Sequence, residues 1–473
     1  MFGKRTFPSR EKGNEKGVCF GIFRYNIGIA LLVFFREVET QMFFNFKLFF
    51  KQQFKALFHS EGTHFRLTWK RMGVLLLFYV LFPLIELANW TGFLLDDLFF
   101  FQYRNQRVNH PVFVLGNYRS GTTFLHRLLA MDKRSFTAMT GWEIFIAPSI
   151  IQRKIVRGFY DLDHALGGHI AALLDRFWQK NVQNHVDFHQ LGVTEPEEDE
   201  GILAHIYSGI IPWNLFPAME DGVPEYATFD TSLTERDKQR VMTFYHRCVQ
   251  RHMYAHGESK HYLSKSPSFS GKVDALYKTF PDAKIIYLIR NPLEMVPSQV
   301  SMWAFKWNVT CSPLDSYPYE DELLEMIKYW YQHPLERLAE APDDSYLIVR
   351  FDELIADPET TVRRVYEHFG FKMSRRYENR LMRQTRRVEK RIAKKGTAKY
   401  SLQEMGLTER GIAVKFRDVM RKFKFPGGES QRPRVRRRML RQEPRSEQNE
   451  MKAGWLRVRR SKRAKKRLGK ETV

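Results

Sequence analysis

Cysteine is scarce: Cys19, Cys248 and Cys311 are the only three in 473 residues, and they lie far apart. This excludes a disulfide framework and a Cys-based zinc pattern, and it makes a reducing compartment, the cytoplasm, the default. A good signal peptide is missing too, since the charged N-terminal stretch is long and no small-residue cleavage site follows it. There are no internal repeats. Helix-turn-helix, zinc-finger and RNA-recognition signatures are absent, which leaves nucleic-acid binding without specific support. The apolar run "GVLLLFYVLFPLI", residues 73–85, has thirteen residues between Arg71 and Glu86. At about 1.5 Å per residue it falls short of a bilayer core, and Pro83 is expected to kink it.

What the sequence has in excess is positive charge. The formal net charge is +23, and residues 427–473 carry seventeen Lys/Arg against five Asp/Glu, so this tail supplies +12 of it. Residues 426–473 are polar and basic and predict a disordered, solvated tail; contact with anionic lipid or nucleic acid is the sharper alternative. Residues 1–41 form a poorly defined extension, and Met42 is an alternative start.

Residues 42–105 predict a helical, membrane-leaning segment. In "MFFNFKLFFKQQFKALF", Lys47, Lys51 and Lys55 recur every four residues, as do Phe46, Phe50, Phe54 and Phe58. A basic, phenylalanine-rich amphipathic helix suits a membrane interface, and an ordinary helix docked on its own domain is the plain alternative. The apolar stretch up to Phe101, interrupted by Asp96 and Asp97, fits a monotopic or re-entrant anchor better than a clean span.

The chemistry begins at "GNYRSGTT", residues 116–123, after the apolar run "PVFVL". Strand, Gly-rich loop and helix make an anion site from loop amides and a helix N-terminus. A phosphate-binding loop of the nucleotide triphosphatase kind carries lysine after its second glycine. Here Thr122 stands there, and Arg119 inside the loop can supply the cation. A second unit, "DAKIIYLIRNPLEMVPSQV", predicts a strand over 284–289, then Arg290 at its C-terminal end, then a helix capped by Asn291 and started by Pro292. Ser298 follows eight residues after the arginine. Between the two units, Lys265 in "HYLSKSPSF" ends a short strand-like run. A third unit, residues 345–371, predicts a strand and a helix started at Asp357-Pro358, with Val362, Val365 and Phe369 on its buried face. Strands with helical crossovers imply an α/β fold.

Taken in this order, "RSGTT", "LSKSP", "FPDAKIIYLIRNP" with Ser298, and "VRFDELIADP" resemble sulfotransferases that use 3'-phosphoadenylyl sulfate (PAPS). The likeness covers about residues 106–410. It is closest to bacterial members with an apolar N-terminal segment and, in the loop, to tyrosylprotein sulfotransferases. It implies a three-layer α/β/α domain over 106–425 with a central parallel sheet, the P-loop-NTPase-like sulfotransferase fold. It also implies that Arg119, Ser120, Gly121, Thr122 and Thr123 bind the 5'-phosphosulfate and that Arg290 and Ser298 bind the 3'-phosphate. Lys265 and Arg119 then stabilise the leaving phosphate. No metal is expected, because fixed cations replace magnesium. Residues 394–407 are similar to a late loop that closes over the nucleotide.

A general base must also lie near the sulfur. Glu143 in "TGWE" is the first choice, since tyrosylprotein sulfotransferases carry a catalytic Glu at nearly this distance from the loop; a charge at a helix start is the plain alternative. The cluster "TEPEEDE", residues 194–200, is the rival. Thr194 and Glu197 fit a capping box, while Glu198 and Asp199 remain base candidates. His126 shares a helix face with Thr122 and reads as a core histidine. Relatives often have His at Phe269 and Tyr at Phe351, so a ring nitrogen and a hydroxyl contact are missing here. The expected function is sulfuryl transfer to a hydroxyl, on a lipid or other apolar acceptor if the N-terminal segment binds membrane. A P-loop kinase or hydrolase, and a non-catalytic nucleotide-binding or scaffold protein, are the alternatives. Nothing in the sequence bears on oligomeric state.

Overall fold

The computed structural model describes residues 43–168, 194–257, 259–395 and 401–427. The N-terminal extension, most of the basic tail and part of the expected nucleotide-closing loop lie outside the described residues. The chain divides into two units, residues 1–423 and 424–473, and the fold below is that of the first.

Among the described residues, five strands form one parallel sheet: β1 (Val112–Gly116), β2 (Phe136–Thr137), β3 (His261–Lys265), β4 (Lys284–Ile289) and β5 (Tyr346–Arg350), in spatial order β2-β3-β1-β4-β5. The central strands β1 and β4 are buried on both faces, which is why they read as nearly unbroken apolar runs, while the edge strand β5 is mostly half-buried. Alternate side chains then serve two cores. Val112, Val114, Ile286, Leu288 and Val349 face one layer, which includes Leu125, Leu128, Val362 and Val365. On the other face Phe113 meets Phe280 at 5.4 Å, and the Tyr287 hydroxyl donates to the Trp330 carbonyl at 2.8 Å. The architecture is three-layer α/β/α.

Eight helices position the site and the outer surface: α1 (Phe46–Phe58), α2 (Trp69–Phe99), α3 (Thr122–Ala130), α4 (Gly141–Phe145), α5 (Ile150–Ala165), α6 (Glu200–Ala204), α7 (Glu235–His256) and α8 (Pro292–Thr310). Local sequence accounts for several boundaries. The Asn291 side chain accepts from the Leu293 amide with Pro292 in the first turn, and Asp357 caps the helix Pro358–His368 by accepting from Thr360. One expectation fails. The helix after the acidic cluster starts at Glu200, not near Thr194, and Pro196 instead forms an antiparallel bridge with Thr140. The true capping box is Thr140–Glu143 at the start of α4.

The apolar stretch also departs from expectation. α2 is one helix of 31 residues that runs through Pro83, about 45 Å long at 1.5 Å per residue. It is the one described helix long and apolar enough to cross a membrane. Arg71, Glu86, Asn89, Asp96 and Asp97 face inward. Asp96 accepts from the Ile150 and Ile151 amides at the start of α5, and Arg251 of α7 donates to Asp96 and to Asp97, both at 3.1 Å. Gly92 permits this approach, because a Cβ there would lie 2.4 Å from the Ser149 hydroxyl.

Arg251→Met is expected to leave two buried carboxylates without their shared cation and to destabilise the fold by about 3–5 kcal/mol. Chemical denaturation of the variant against wild type measures this, and an unchanged midpoint would refute the role given to Arg251.

Candidate active site

The strand order sets the location. β1 is central; the chain reaches β3 on one side and β4 on the other, so the crevice at the C-terminal ends of these three strands is the switch point where open α/β sheets bind ligands. Residues 116–121 leave β1 into that crevice. Parallel register sets Val114 opposite Lys265 and Gly116 opposite Leu288. Lys265 and Arg290 therefore flank the loop by backbone pairing alone.

The loop is conformationally constrained. Arg119 and Gly121 have φ values of 68° and 89°. Alternation of left- and right-handed residues turns successive amides toward one concavity, the geometry of an anion nest. A non-glycine residue such as Arg119 at positive φ is a strain that functional loops tolerate. At Gly121 a Cβ would meet the Phe351 ring at 2.8 Å. α3 follows directly, and its first amides have no intrahelical acceptors. Ser120 is buried, and its hydroxyl has no partner among the described residues. An unpaired buried hydroxyl at an amide nest fits an anionic ligand. Thr122 is buried beside it and Thr123 is half-buried.

Arg119, Arg290 and Ser298 come together. Arg119 Nε donates to Ser298 Oγ at 2.9 Å, and Arg290 Nη1 donates to the Arg119 carbonyl at 2.8 Å. The Arg290 guanidinium lies 4.1 Å from the Phe351 ring centroid, and its other arm reaches Glu294 at 3.3 Å. Burial pulls the Arg290 pKa down from its ordinary value. The Phe351 ring thus packs against the cation.

On the other side of the loop Lys265 is buried and pairs with Glu198 Oε1 at 2.8 Å. The Tyr118 hydroxyl also bonds Glu198, and burial, then Glu198 and Glu200, raise the Tyr118 pKa well above its ordinary value. Lys306 of α8 stands over the Tyr118 and Trp303 rings at 5.3 and 4.7 Å, its pKa lowered by burial and partly restored by Glu198. Tyr118 and Lys306 were missed from sequence. One signal was available: Lys306 is the sole charge in "MVPSQVSMWAFKWNV", residues 295–309.

The other acids are engaged elsewhere. Glu143 is buried; Oε2 accepts from the Thr140 amide and hydroxyl at 2.9 and 2.8 Å, and Oε1 meets His256 Nε2 at 2.6 Å with Arg153 at 3.8 Å. Burial pushes its pKa up, but Arg153, His256 and His252 outweigh burial and hold it far below the ordinary range. Glu143, His252 and His256 have the spacing of a three-ligand metal cluster. The 2.6 Å contact is that of a hydrogen bond, however, since two ligands on one tetrahedral zinc sit about 3.3 Å apart. Arg153 already supplies positive charge. Asp199 is buried and accepts from Tyr245 at 2.5 Å and Tyr262 at 2.6 Å. Glu200 accepts from Ser268 at 2.5 Å and pairs with Lys272 at 3.2 Å. His126 is buried and kept neutral, its pKa lowered to about 3 by burial and then by Lys265. Phe269 is a core ring, 5.2 Å from Tyr245.

Asp199 yields a pH prediction. Burial raises its pKa to about 6 against the hydrogen bonds that lower it. Between an ordinary value near 4 and that of the fold, the native state holds a proton that the unfolded chain has lost. This carboxyl therefore takes stability away as pH rises through about 6. In Asp199→Asn that contribution should vanish, so from pH 4.5 to 7 the urea midpoint should rise more, or fall less, than in wild type. An equal difference would refute the assignment.

Comparison with known proteins follows the same residues. The model of the "Sulfotransferase family" matches residues 111–375. The omega-hydroxy-beta-dihydromenaquinone-9 sulfotransferases Stf3 of Mycobacterium bovis and Mycobacterium tuberculosis are each 25% identical over 263 residues, 55% of this chain and 62% of theirs. The chain thus spans less than two thirds of these relatives' length. Among solved structures, sulfotransferase STF9 from Mycobacterium avium superposes with a TM-score of 0.56 at 20% identity, covering 70% of this chain and 81% of that one. Sulfotransferase STF1 from Mycobacterium tuberculosis gives 0.50 at 19%, covering 70% and 82%. These two likenesses establish the fold. With more than half of its residues matched by the family model, the chain belongs to the sulfotransferase family.

Proposed function

We propose that this protein transfers a sulfuryl group from PAPS to the hydroxyl of a lipid or other apolar alcohol. The observation that carries the reading is the meeting of Arg119, Lys265 and Arg290 at the ends of three adjacent strands, with Glu198 held against Lys265. The donor has a phosphate near each end of its ribose. The nest of residues 119–123 suits the 5'-phosphosulfate, and Arg290 with Ser298 suits the 3'-phosphate. Family membership supports this donor, and the buried, unpaired Ser120 hydroxyl supports an oxyanion in the nest.

The donor supplies the sulfuryl group. In transfer, the bond from sulfur to the leaving phosphate oxygen breaks as a bond to the acceptor oxygen forms. Lys265 and Arg119 neutralise charge gathering on the phosphate, and such fixed cations cost no reorganisation during the reaction. In the absence of donor Lys265 and Glu198 neutralise each other. A phosphate beside Lys265 competes for the ammonium and frees Glu198 to take the acceptor proton. We assign the base to Glu198 in preference to Glu143. The reason is acidity and access: a carboxylate held far below its ordinary pKa with both oxygens engaged is a poor proton acceptor, while Glu198 borders the loop.

The two curated relatives are named for a hydroxylated menaquinone, a lipid alcohol. The exposed apolar face of α1 and α2 suits an acceptor drawn from a bilayer, and we place the protein in the cytoplasm at the membrane surface. In this reading residues 106–425 form the catalytic domain and 42–105 its membrane-facing part.

Binding of adenosine 3',5'-bisphosphate tests the donor. It should be tight without added metal and should weaken at least tenfold in Arg290→Ala; a preference for ATP with Mg²⁺ would overturn the proposal in favour of a kinase. Glu198→Gln should bind the bisphosphate within a few-fold of wild type yet lower kcat about 10²–10⁴-fold with PAPS and a long-chain alcohol. Glu143→Gln should chiefly lower the melting temperature. The opposite pattern would return the base to Glu143.

A further inference from the structure

We propose that α1, α2 and α5 form one continuous face that lies in the interfacial plane of a bilayer and does not cross it. The proposal deepens the membrane reading above and adds α5, which carries no sequence signal of a long apolar run.

α2 has inverted amphipathicity. Its inward stripe carries polar residues, each with at least one partner. Arg71 donates to the Thr310 and Leu215 carbonyls at 2.9 and 2.6 Å, Glu86 pairs with His205 at 2.8 Å, Asn89 accepts from Gln152 at 2.8 Å, and Asp96 and Asp97 share Arg251. Its outward side is apolar: Leu76, Leu84 and Leu87 are 68%, 60% and 67% exposed. A helix crossing a bilayer presents its whole circumference to hydrocarbon or to other spanning elements. This one cannot do so without withdrawing buried charges from their partners, which is prohibitive. It therefore stays flat on the catalytic unit and offers one side only.

The neighbours extend that side. α1 contacts the first half of α2 through the Tyr79–Gln53 hydrogen bond of 2.8 Å and the stacked Phe49 and Phe82 rings. It seats Leu48, Gln52, Gln53 and Ala56 inward and leaves Phe46, Phe50, Phe54 and Phe58 exposed. α5 contacts the second half through Asn89 and Asp96 and exposes Phe159 at 69% and Leu162 at 56%. Soluble proteins rarely leave an apolar patch of this extent uncovered.

The occupant is a lipid surface with anionic headgroups. Lysines alternate with the exposed phenylalanines of α1, where Lys51 and Lys55 share Asp221 at 3.1 and 2.8 Å and so outnumber it, and Lys154 and Arg157 lie on α5. Trp69, 87% exposed at the start of α2, is the residue type that anchors at the headgroup level. Basic and aromatic residues bordering an apolar face are the composition of in-plane membrane helices.

Sedimentation of the full chain with vesicles tests the face. Binding should be at least tenfold stronger to phosphatidylcholine containing a quarter phosphatidylglycerol than to phosphatidylcholine alone. The double variants Leu84→Ser/Leu87→Ser and Phe159→Ser/Leu162→Ser should each lose at least tenfold, with bisphosphate binding and melting temperature retained. Loss in the first alone would remove α5 from the face. A chain that ignores both vesicles and instead forms a dimer broken by these variants would overturn the membrane reading itself, while bisphosphate binding would still report on the donor site. Orientation is read from fluorophores at Leu77→Cys, Leu87→Cys and Leu98→Cys, quenched by lipids with nitroxides at two depths. Equal shallow depths fit the in-plane helix; a markedly deeper Leu87 position would mean a span.

Discussion

Parallel pairing of β3 and β4 on either side of β1 is the constraint on which the site depends. The hydrogen-bond ladders place Lys265 opposite Val114 and Leu288 opposite Gly116, so two cations and the turn after β1 arrive at one edge before any side chain chooses a rotamer. Few other features need to be built. The loop contributes Arg119, the helix behind it contributes amides, and α8, started by Asn291 and Pro292, brings Ser298 into contact with Arg119. A slip of one residue in either ladder would turn its cation to the other face of the sheet.

Charge in this crevice is balanced locally and asymmetrically. One wall is cationic, with Arg119 and Arg290 braced by a carbonyl and an aromatic ring. The other couples Lys265 and Lys306 to Glu198, with the Tyr118 hydroxyl as a further donor. Buried charges left alone would neutralise by shifting their pKa; paired this way they persist and can exchange partners. Two other acids of the 194–200 cluster are held in buried hydrogen bonds. Asp199 and Glu200 tie β3 and the turn after it to the segment carrying Glu198.

The sequence made local units legible and long-range partnerships illegible. β4 falls on the residues expected for it, and the caps at Asn291 and Asp357 are where residue type placed them, because strand runs and caps depend on neighbours within a few positions. The α/β class and the family followed from the order of such units. The state of Glu143 did not, since it rests on His256, 113 residues away. Glu198 likewise acquires meaning only beside Lys265, 67 residues on. Pro83 suggested a kink, and α2 runs through it as one helix whose inward side is held near its two ends by Arg71 and Asp96. The Thr194–Glu197 pattern had the letters of a capping box, but pairing of Pro196 with Thr140 kept that segment extended.

The seating of α2 has a consequence for synthesis. Its acids Asp96 and Asp97 find their cation at Arg251, about 155 positions later. Chains emerge N-terminus first, so the most apolar helix leaves the ribosome long before the element that orients it exists. For that interval both its faces are incompletely satisfied: the leucines lack hydrocarbon, and Asp96 lacks its guanidinium while Asp97 has only its near neighbours Tyr103 and Arg104. The arrival of α7 is the event that completes the pairing of Asp96 and fixes which side of the helix faces the domain.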